Sequence, residues 1–287
     1  MNIWDLIVAL ILGLVEGLTE FAPVSSTGHM IIVDDMLLKS AELLNSQEVA
    51  NTFKVVIQLG SVMAAVIVFW PRLLSLIGIQ TSGSSEVPTE GRRLRLTHVI
   101  IGLIPAMILG LLFEDFIDTY LFSVETVLIG LVGGAVLMIL ADLKVRREVR
   151  TKGAYEGVPL DGINYKQAFL IGLFQCIALW PGFSRSGSTI SGGVLLGLKY
   201  RAAADFTFIM AVPIMAGASA VSLLKKMDVL TADVIPFFAV GFISAFIFAW
   251  ISIRFFLALI NRIKLIPFAI YRILLATVIM VVYMSIR

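Results

Sequence analysis

The chain has little cysteine, little charge and no strands of alternating polar and apolar residues. A single cysteine, Cys176, excludes an intramolecular disulfide and any cysteine-based metal cluster. It lies between Gln175 and Ile177 in an apolar run and reads as a packing residue. Charged residues are 15% of the 287 positions, against 59% hydrophobic, and the mean hydropathy is +0.98. Soluble domains carry about 25% charged residues, so this composition describes an integral membrane protein. A transmembrane β-barrel would alternate over strands of about ten residues; the apolar runs here are continuous, so the spans are helices. The net charge of +2 is too small to point to nucleic acid. No cationic region or small-residue cleavage site precedes the first apolar run, so the first helix is expected to belong to the mature protein rather than to a signal peptide.

What is present is a series of apolar segments at 3–22, 53–71, 95–113, 122–141, 167–180, 186–198, 203–224, 231–253 and 265–286. A span needs about 20 residues. Segments 167–180 and 186–198 are too short, and the first runs directly into a polar motif. Short apolar pieces interrupted by Gly and Pro mark broken or re-entrant helices. At one fixed offset Gly13 aligns with Gly172, Glu16 with Gln175, Ser25 with Ser184, Thr27 with Ser186 and Gly28 with Gly187. The identity is weak, and chance likeness between apolar segments competes with it, but each motif is followed by three long spans. The expected fold is therefore an all-α polytopic membrane protein of two repeats, each a re-entrant helix hairpin plus three transmembrane helices. Repeat one covers about 1–141 and repeat two about 167–287, joined by a basic loop at 142–166.

Loop charges suggest the orientation. Loop 72–94 holds Arg72, Arg92 and Arg93, and loop 142–166 holds Lys144, Arg146, Arg147, Arg150, Lys152 and Lys166. Between them, 114–121 carries Glu114, Asp115 and Asp118 with no lysine or arginine. The positive-inside rule puts the basic loops in the cytoplasm and the acidic one outside, which makes the repeats inverted. Lys225 and Lys226 then fall outside, against the rule.

Two polar stretches stand at membrane depth, where such residues are costly and functional by default. In Glu16-Gly-Leu-Thr-Glu-Phe-Ala-Pro-Val-Ser-Ser-Thr-Gly-His29, Glu16 and Glu20 are one helical turn apart and share a face. They either bind a cation or merely solvate an exposed helix end. Pro23 stops the incoming helix, and a new one starting near Thr27 would aim its amides at an anion beside Ser25, Ser26 and Gly28. Ser26 and His29 are spaced as a nucleophile–base pair. His98, beside Thr97, reads as a packing histidine. The second stretch, Pro181-Gly-Phe-Ser-Arg-Ser-Gly-Ser-Thr189, sets Arg185 among Ser184, Ser186, Gly187 and Thr189. A guanidinium suits bidentate contact with phosphate; the alternative is a salt bridge to Glu16 or Glu20 that clamps the halves. A pyrophosphate beside two glutamates leaves an excess of negative charge, which a divalent cation held by Glu16, Glu20 and phosphate oxygens would offset.

These motifs, with Ile-Pro-Phe-Ala-Ile-Tyr-Arg at 266–272, closely resemble the bacterial undecaprenyl-diphosphate phosphatases, the bacitracin-resistance family. The resemblance spans essentially the whole chain. It implies hydrolysis of undecaprenyl pyrophosphate to undecaprenyl phosphate and inorganic phosphate, in the cytoplasmic (inner) membrane, with the site open to the outer face. It also implies a divalent cation, Mg²⁺ or Ca²⁺, and places the family's functional residues at Glu16, Glu20, Ser26, His29 and Arg185. The expected partners are the polyprenyl pyrophosphate lipid and the bilayer, with a homodimer as a candidate assembly. The rival class is a transporter or lipid flippase, because inverted repeats with broken helices are also transporter architecture. The nucleophile stays open between Ser26, His29 and a water beside them.

Overall fold

A computed structural model of the chain describes residues 2–79, 93–226 and 231–286. Arg92, one of the charges of the first basic loop, lies outside the described residues. The described residues form α1 (Ile3–Thr19), α2 (Ser26–Met30), a π-helical segment (Ile31–Leu38), α3 (Ser40–Leu43), α4 (Gln47–Leu76), α5 (Leu96–Tyr120) and α6 (Val124–Lys152). They continue with a 3₁₀ turn (Leu160–Gly162), α7 (Tyr165–Ile177), α8 (Arg185–Leu195), α9 (Tyr200–Lys225), α10 (Ile235–Ile263) and α11 (Ile266–Ile286). Six helices, α4, α5, α6, α9, α10 and α11, are long and apolar enough to cross a membrane. They coincide with the six segments expected to span. At 17, 13 and 11 residues, α1, α7 and α8 fall short of that length. Large apolar side chains such as Leu111, Leu112, Phe255 and Met284 point outward, which lipid tails tolerate and water would not. The chain is a multi-pass membrane protein.

The chain divides into two compact units. The first comprises Met1–Ala22, Ser26–Val68 and Ala211–Phe255. In it α1 lies so close to α10 that a Cβ on Gly13 would strike the carbonyl oxygen of Gly241. Two hydroxyls secure this contact, Ser244 donating to Leu10 O at 2.7 Å and Ser252 to Leu18 O at 2.9 Å. Phe53, Phe237 and Phe238 fill the core beside Leu12 and Ile57, with ring centroids of Phe53 and Phe237 4.5 Å apart. Asp34, within the π-helical segment, accepts from Ser40 N at 2.8 Å and pairs with Lys54 at 2.9 Å.

The second unit comprises Pro23–Ser25, Phe69–Met210 and Phe256–Arg287. Here α7 packs on α5 with Gly172 against the carbonyl oxygen of Gly102, and α6 packs on both α8 and α11. Buried Asp142 joins three elements. It accepts from the Tyr200 hydroxyl at 2.6 Å and from the backbone amides of Leu265 and Ile266 at 3.0 and 2.9 Å. Rich in Gly and Ser, α8 has poor intrinsic helix propensity, yet every residue from Ser186 to Val194 is buried. Packing holds it: Gly192 admits the Phe174 ring and Gly193 admits Ala203. Its C-terminal carbonyls and the turn beyond are capped by side chains. Lys144 donates to Leu195 O at 2.6 Å, Gln167 to Leu196 O at 3.2 Å and Tyr155 to Leu198 O at 2.7 Å. His98 and Cys176 are packing residues, as expected. His98 Nδ1 accepts from Arg95 N at 3.1 Å while its ring stacks on Tyr165, and Cys176 Sγ donates to Gly172 O at 3.3 Å.

Candidate active site

The first polar stretch begins at the end of α1. The helix closes at Thr19, before Pro23 is reached, with the Thr19 hydroxyl donating to Val15 O at 2.6 Å. Hydroxyl back-bonding of this kind loosens a last turn. Glu16 and Glu20 are 5% and 8% exposed, which rules out the reading in which they solvate an exposed helix end. Glu20 Oε2 accepts from Ser26 Oγ at 2.7 Å. Ser25 adopts a left-handed φ of 71°, unusual for a residue with a side chain. The backbone reverses there, and α2 starts at Ser26, one residue before the expected Thr27. Ser26 and His29 are both on α2, three residues apart, with half-buried Thr27 and buried Gly28 between them. The helix continues without a break into the π-helical segment, a rare form frequent at functional sites.

The second stretch repeats this local design. Ser184 has a φ of 69° and caps α8, its Oγ accepting from Gly187 N at 3.1 Å and hydrogen-bonding Ser186 Oγ at 3.2 Å. Half-buried Arg185 is the first residue of α8, and its Nη1 lies 3.5 Å from Thr207 O. Thr189 donates to Arg185 O at 2.8 Å and accepts from Thr207 at 2.9 Å, so its hydroxyl braces the first turn of α8. Glu16, Glu20, Ser26 and His29 thus belong to the first unit, and the Ser184–Thr189 group to the second.

Sequence reasoning passed over one residue, Arg272. Its side chain is completely buried in α11 and is spent on backbone carbonyls. Nη1 donates to Phe183 O at 2.9 Å, Nη2 to Gly182 O at 2.8 Å and Gly130 O at 3.1 Å, and Nε to Leu131 O at 3.2 Å. Two of these carbonyls belong to the turn immediately ahead of Arg185. The available signal was an arginine interrupting the last apolar run. Partners 89 to 142 residues away gave it no local pattern.

Among the described residues no group of three or more His, Cys, Asp or Glu could hold a metal ion. Two buried carboxylates one turn apart do fit a hard cation that shares its coordination with substrate phosphates, as Mg²⁺ commonly does.

The class defined by this architecture is a helical multi-pass membrane protein with two polar motifs, each opening a helix behind a left-handed serine. Residues 9–278 match the family described as bacitracin resistance protein BacA, and the chain belongs to that family. It is 65% identical over 285 residues to an undecaprenyl-diphosphatase of Anoxybacillus flavithermus, covering 99% of this chain and 100% of the relative. It is 60% identical over 284 residues to an undecaprenyl-diphosphatase of Bacillus subtilis, again 99% and 100% of the two chains. A third, from Geobacillus kaustophilus, is 63% identical over 283 residues, 99% of this chain and 98% of the relative.

Proposed function

We propose that this chain hydrolyses undecaprenyl pyrophosphate to undecaprenyl phosphate and inorganic phosphate, recycling the carrier lipid and conferring resistance to bacitracin. The observation that carries the mechanism is the 2.7 Å hydrogen bond from Ser26 Oγ to Glu20 Oε2, a nucleophile within reach of a base. Ser26 Oγ attacks the terminal phosphorus while its proton passes to Glu20. The bridging P–O bond breaks, and lipid phosphate leaves with the bond's electron pair. Water then cleaves the Oγ–P bond, releasing inorganic phosphate and restoring Ser26. His29 orients the nucleophile or carries the proton. Arg185 and the first turn of α8 stabilise charge on the phosphoryl oxygens. Glu16 and Glu20 would hold a divalent cation, Mg²⁺ or Ca²⁺, whose contribution is to neutralise phosphate charge.

The same reading makes α1–α2 and α7–α8 re-entrant elements of two inverted repeats, with the active site open to the outer face. Its support is the shared left-handed serine ahead of α2 and α8, the aligned Gly13 and Gly172 each pressed on a neighbouring helix backbone, and the loop charges. The test is phosphate release from undecaprenyl pyrophosphate by purified protein, with and without chelator, comparing wild type, Arg185→Ala and Ser26→Ala. Cation-dependent release that collapses in both variants is expected. Near-normal turnover by Ser26→Ala would refute the covalent serine and leave water or His29 as the attacking group. A folded wild type that releases nothing would refute hydrolysis and leave the lipid carrier as the reading to test.

A further inference from the structure

Among the described residues, Gln175 buries both its amide oxygen and its amide nitrogen without a hydrogen-bond partner, and Ser188 and Ser191 bury their hydroxyls likewise. Gln175 is 3% exposed and both serines are fully buried. Such groups destabilise a fold until something pairs with them, and apolar side chains would fill the same space without that cost. Gln175 lies on α7 and the serines on α8, two helices packed against each other. Ser188 lies one turn beyond Arg185 and Ser191 one turn beyond Ser188, so Ser188 neighbours Arg185 on the surface of α8. The offset that aligns Ser25 with Ser184 also sets Gln175 against Glu16 and Ser188 against His29. At these two positions an uncharged polar side chain stands where the first stretch has a titratable one.

We infer that Gln175 and Ser188 form an uncharged phosphate subsite, continuing along α8 from Arg185, whose donors pair with substrate phosphate oxygens. The inference rests on the phosphatase reading above and deepens it. Charge is already supplied at this end of α8 by Arg185 and the helix N-terminus, so amide and hydroxyl donors suffice to complete an oxyanion shell. Pairing with phosphate satisfies the amide nitrogen of Gln175 and the hydroxyl of Ser188 in one event.

The experiment compares wild type with Gln175→Met and Ser188→Ala in the purified full chain. The measurements are thermal midpoint, kcat and KM for phosphate release, and inhibition by inorganic pyrophosphate. The subsite predicts midpoints equal to or above wild type. It also predicts a kcat/KM lowered roughly ten- to hundred-fold, the value of one or two hydrogen bonds to a charged group, with pyrophosphate inhibition weakened in step. Raised midpoints with wild-type kcat/KM and inhibition would overturn it, since the groups would then be packing alone. If Gln175→Met does not fold, the smaller Ser188→Ala change decides between the same two outcomes. Failure of the phosphatase reading shows separately, as a wild type that releases no phosphate. The subsite is then judged by whether pyrophosphate raises the midpoint of wild type and not of the variants.

Discussion

Replacing Arg272 by methionine tests whether the turn before α8 is held by a side chain from another helix. The substitution removes donors from Gly130, Leu131, Gly182 and Phe183. Gly130 and Leu131 are inside α6, where the helix ladder supplies another donor, so the loss falls mainly on Gly182 and Phe183. A buried carbonyl without a partner costs about 1–3 kcal/mol, giving about 2–6 kcal/mol for the two. Removing a guanidinium from a dry interior gives part of this back, because its desolvation is no longer required. A net loss of about 2–4 kcal/mol follows. For a chain of this size that lowers the thermal midpoint by roughly 3–7 °C. Arg272→Lys keeps the charge but has no planar fork to reach both pairs of carbonyls, and falls between. The assay is thermal unfolding of the detergent-purified protein by tryptophan fluorescence, with phosphate release measured well below the midpoint. Turnover should fall further than unfolding alone explains, since the turn leads directly into Arg185. A methionine variant with the midpoint and turnover of wild type would refute the argument.

Glu20→Gln can still accept the Ser26 hydroxyl but cannot take its proton; phosphate release should fall about 10²- to 10⁴-fold with little change in thermal midpoint. Gly172→Ala drives a methyl into the Gly102 carbonyl and should destabilise by about 1–3 kcal/mol in the same unfolding assay. Ser184→Gly removes the cost of a left-handed side-chain residue and loses only a few tenths of a kcal/mol of capping; the midpoint should hold or rise while phosphate release drops. Burial pushes the Tyr155 hydroxyl up to about 12 from its ordinary 10.0, so the folded chain retains this proton where the unfolded chain has lost it. Stability should therefore decline as pH rises between these two values, and Tyr155→Phe should flatten that part of the unfolding-versus-pH curve.

The spans were legible because each is a continuous apolar run bounded by charge, and the short segments because a membrane crossing has a fixed minimum length. The limits of α1 were less so. Pro23 was the visible stop signal, but α1 closes at Thr19, with Glu20 N making a last bond to Glu16 O at 2.9 Å. Candidate residues Glu16, Glu20, Ser26 and His29 could be named from local spacing, as could Arg185, because each polar stretch is contiguous. Arg272 could not, because its partners are carbonyls, which leave no mark in a sequence. The clamp on the C-terminal end of α8 was hidden for the same reason. Segment 142–166 read only as a basic loop and a topological signal, whereas α6 continues through it to Lys152, and Lys144 and Tyr155 donate to carbonyls at Leu195 and Leu198.

Where the backbone is strained also bears on function. Among the described residues five non-glycine positions have positive φ, and two of these, Ser25 and Ser184, stand immediately ahead of α2 and α8. A left-handed residue with a side chain costs about 1–3 kcal/mol, a cost glycine would avoid. Ser184 uses its hydroxyl to cap Gly187, but glycine caps a helix nearly as well, so capping alone does not account for serine there. The strained backbone turns Ser26 toward Glu20 in one stretch and starts α8 at Arg185 in the other. The unpaired Gln175 and Ser188 add to the same deficit. Contacts that offset it include the Arg272 fork on Gly182 and Phe183, the Asp142 junction and the capped end of α8. Among the described residues two of the five strained positions, and the unpaired Ser188, thus fall within the two polar stretches, while donors that brace the second stretch and α8 come from α6, α11 and the segment after α6. A site that must release its grip on a phosphate at every turnover gains from that division, because its scaffold can stay rigid while the motif residues exchange partners.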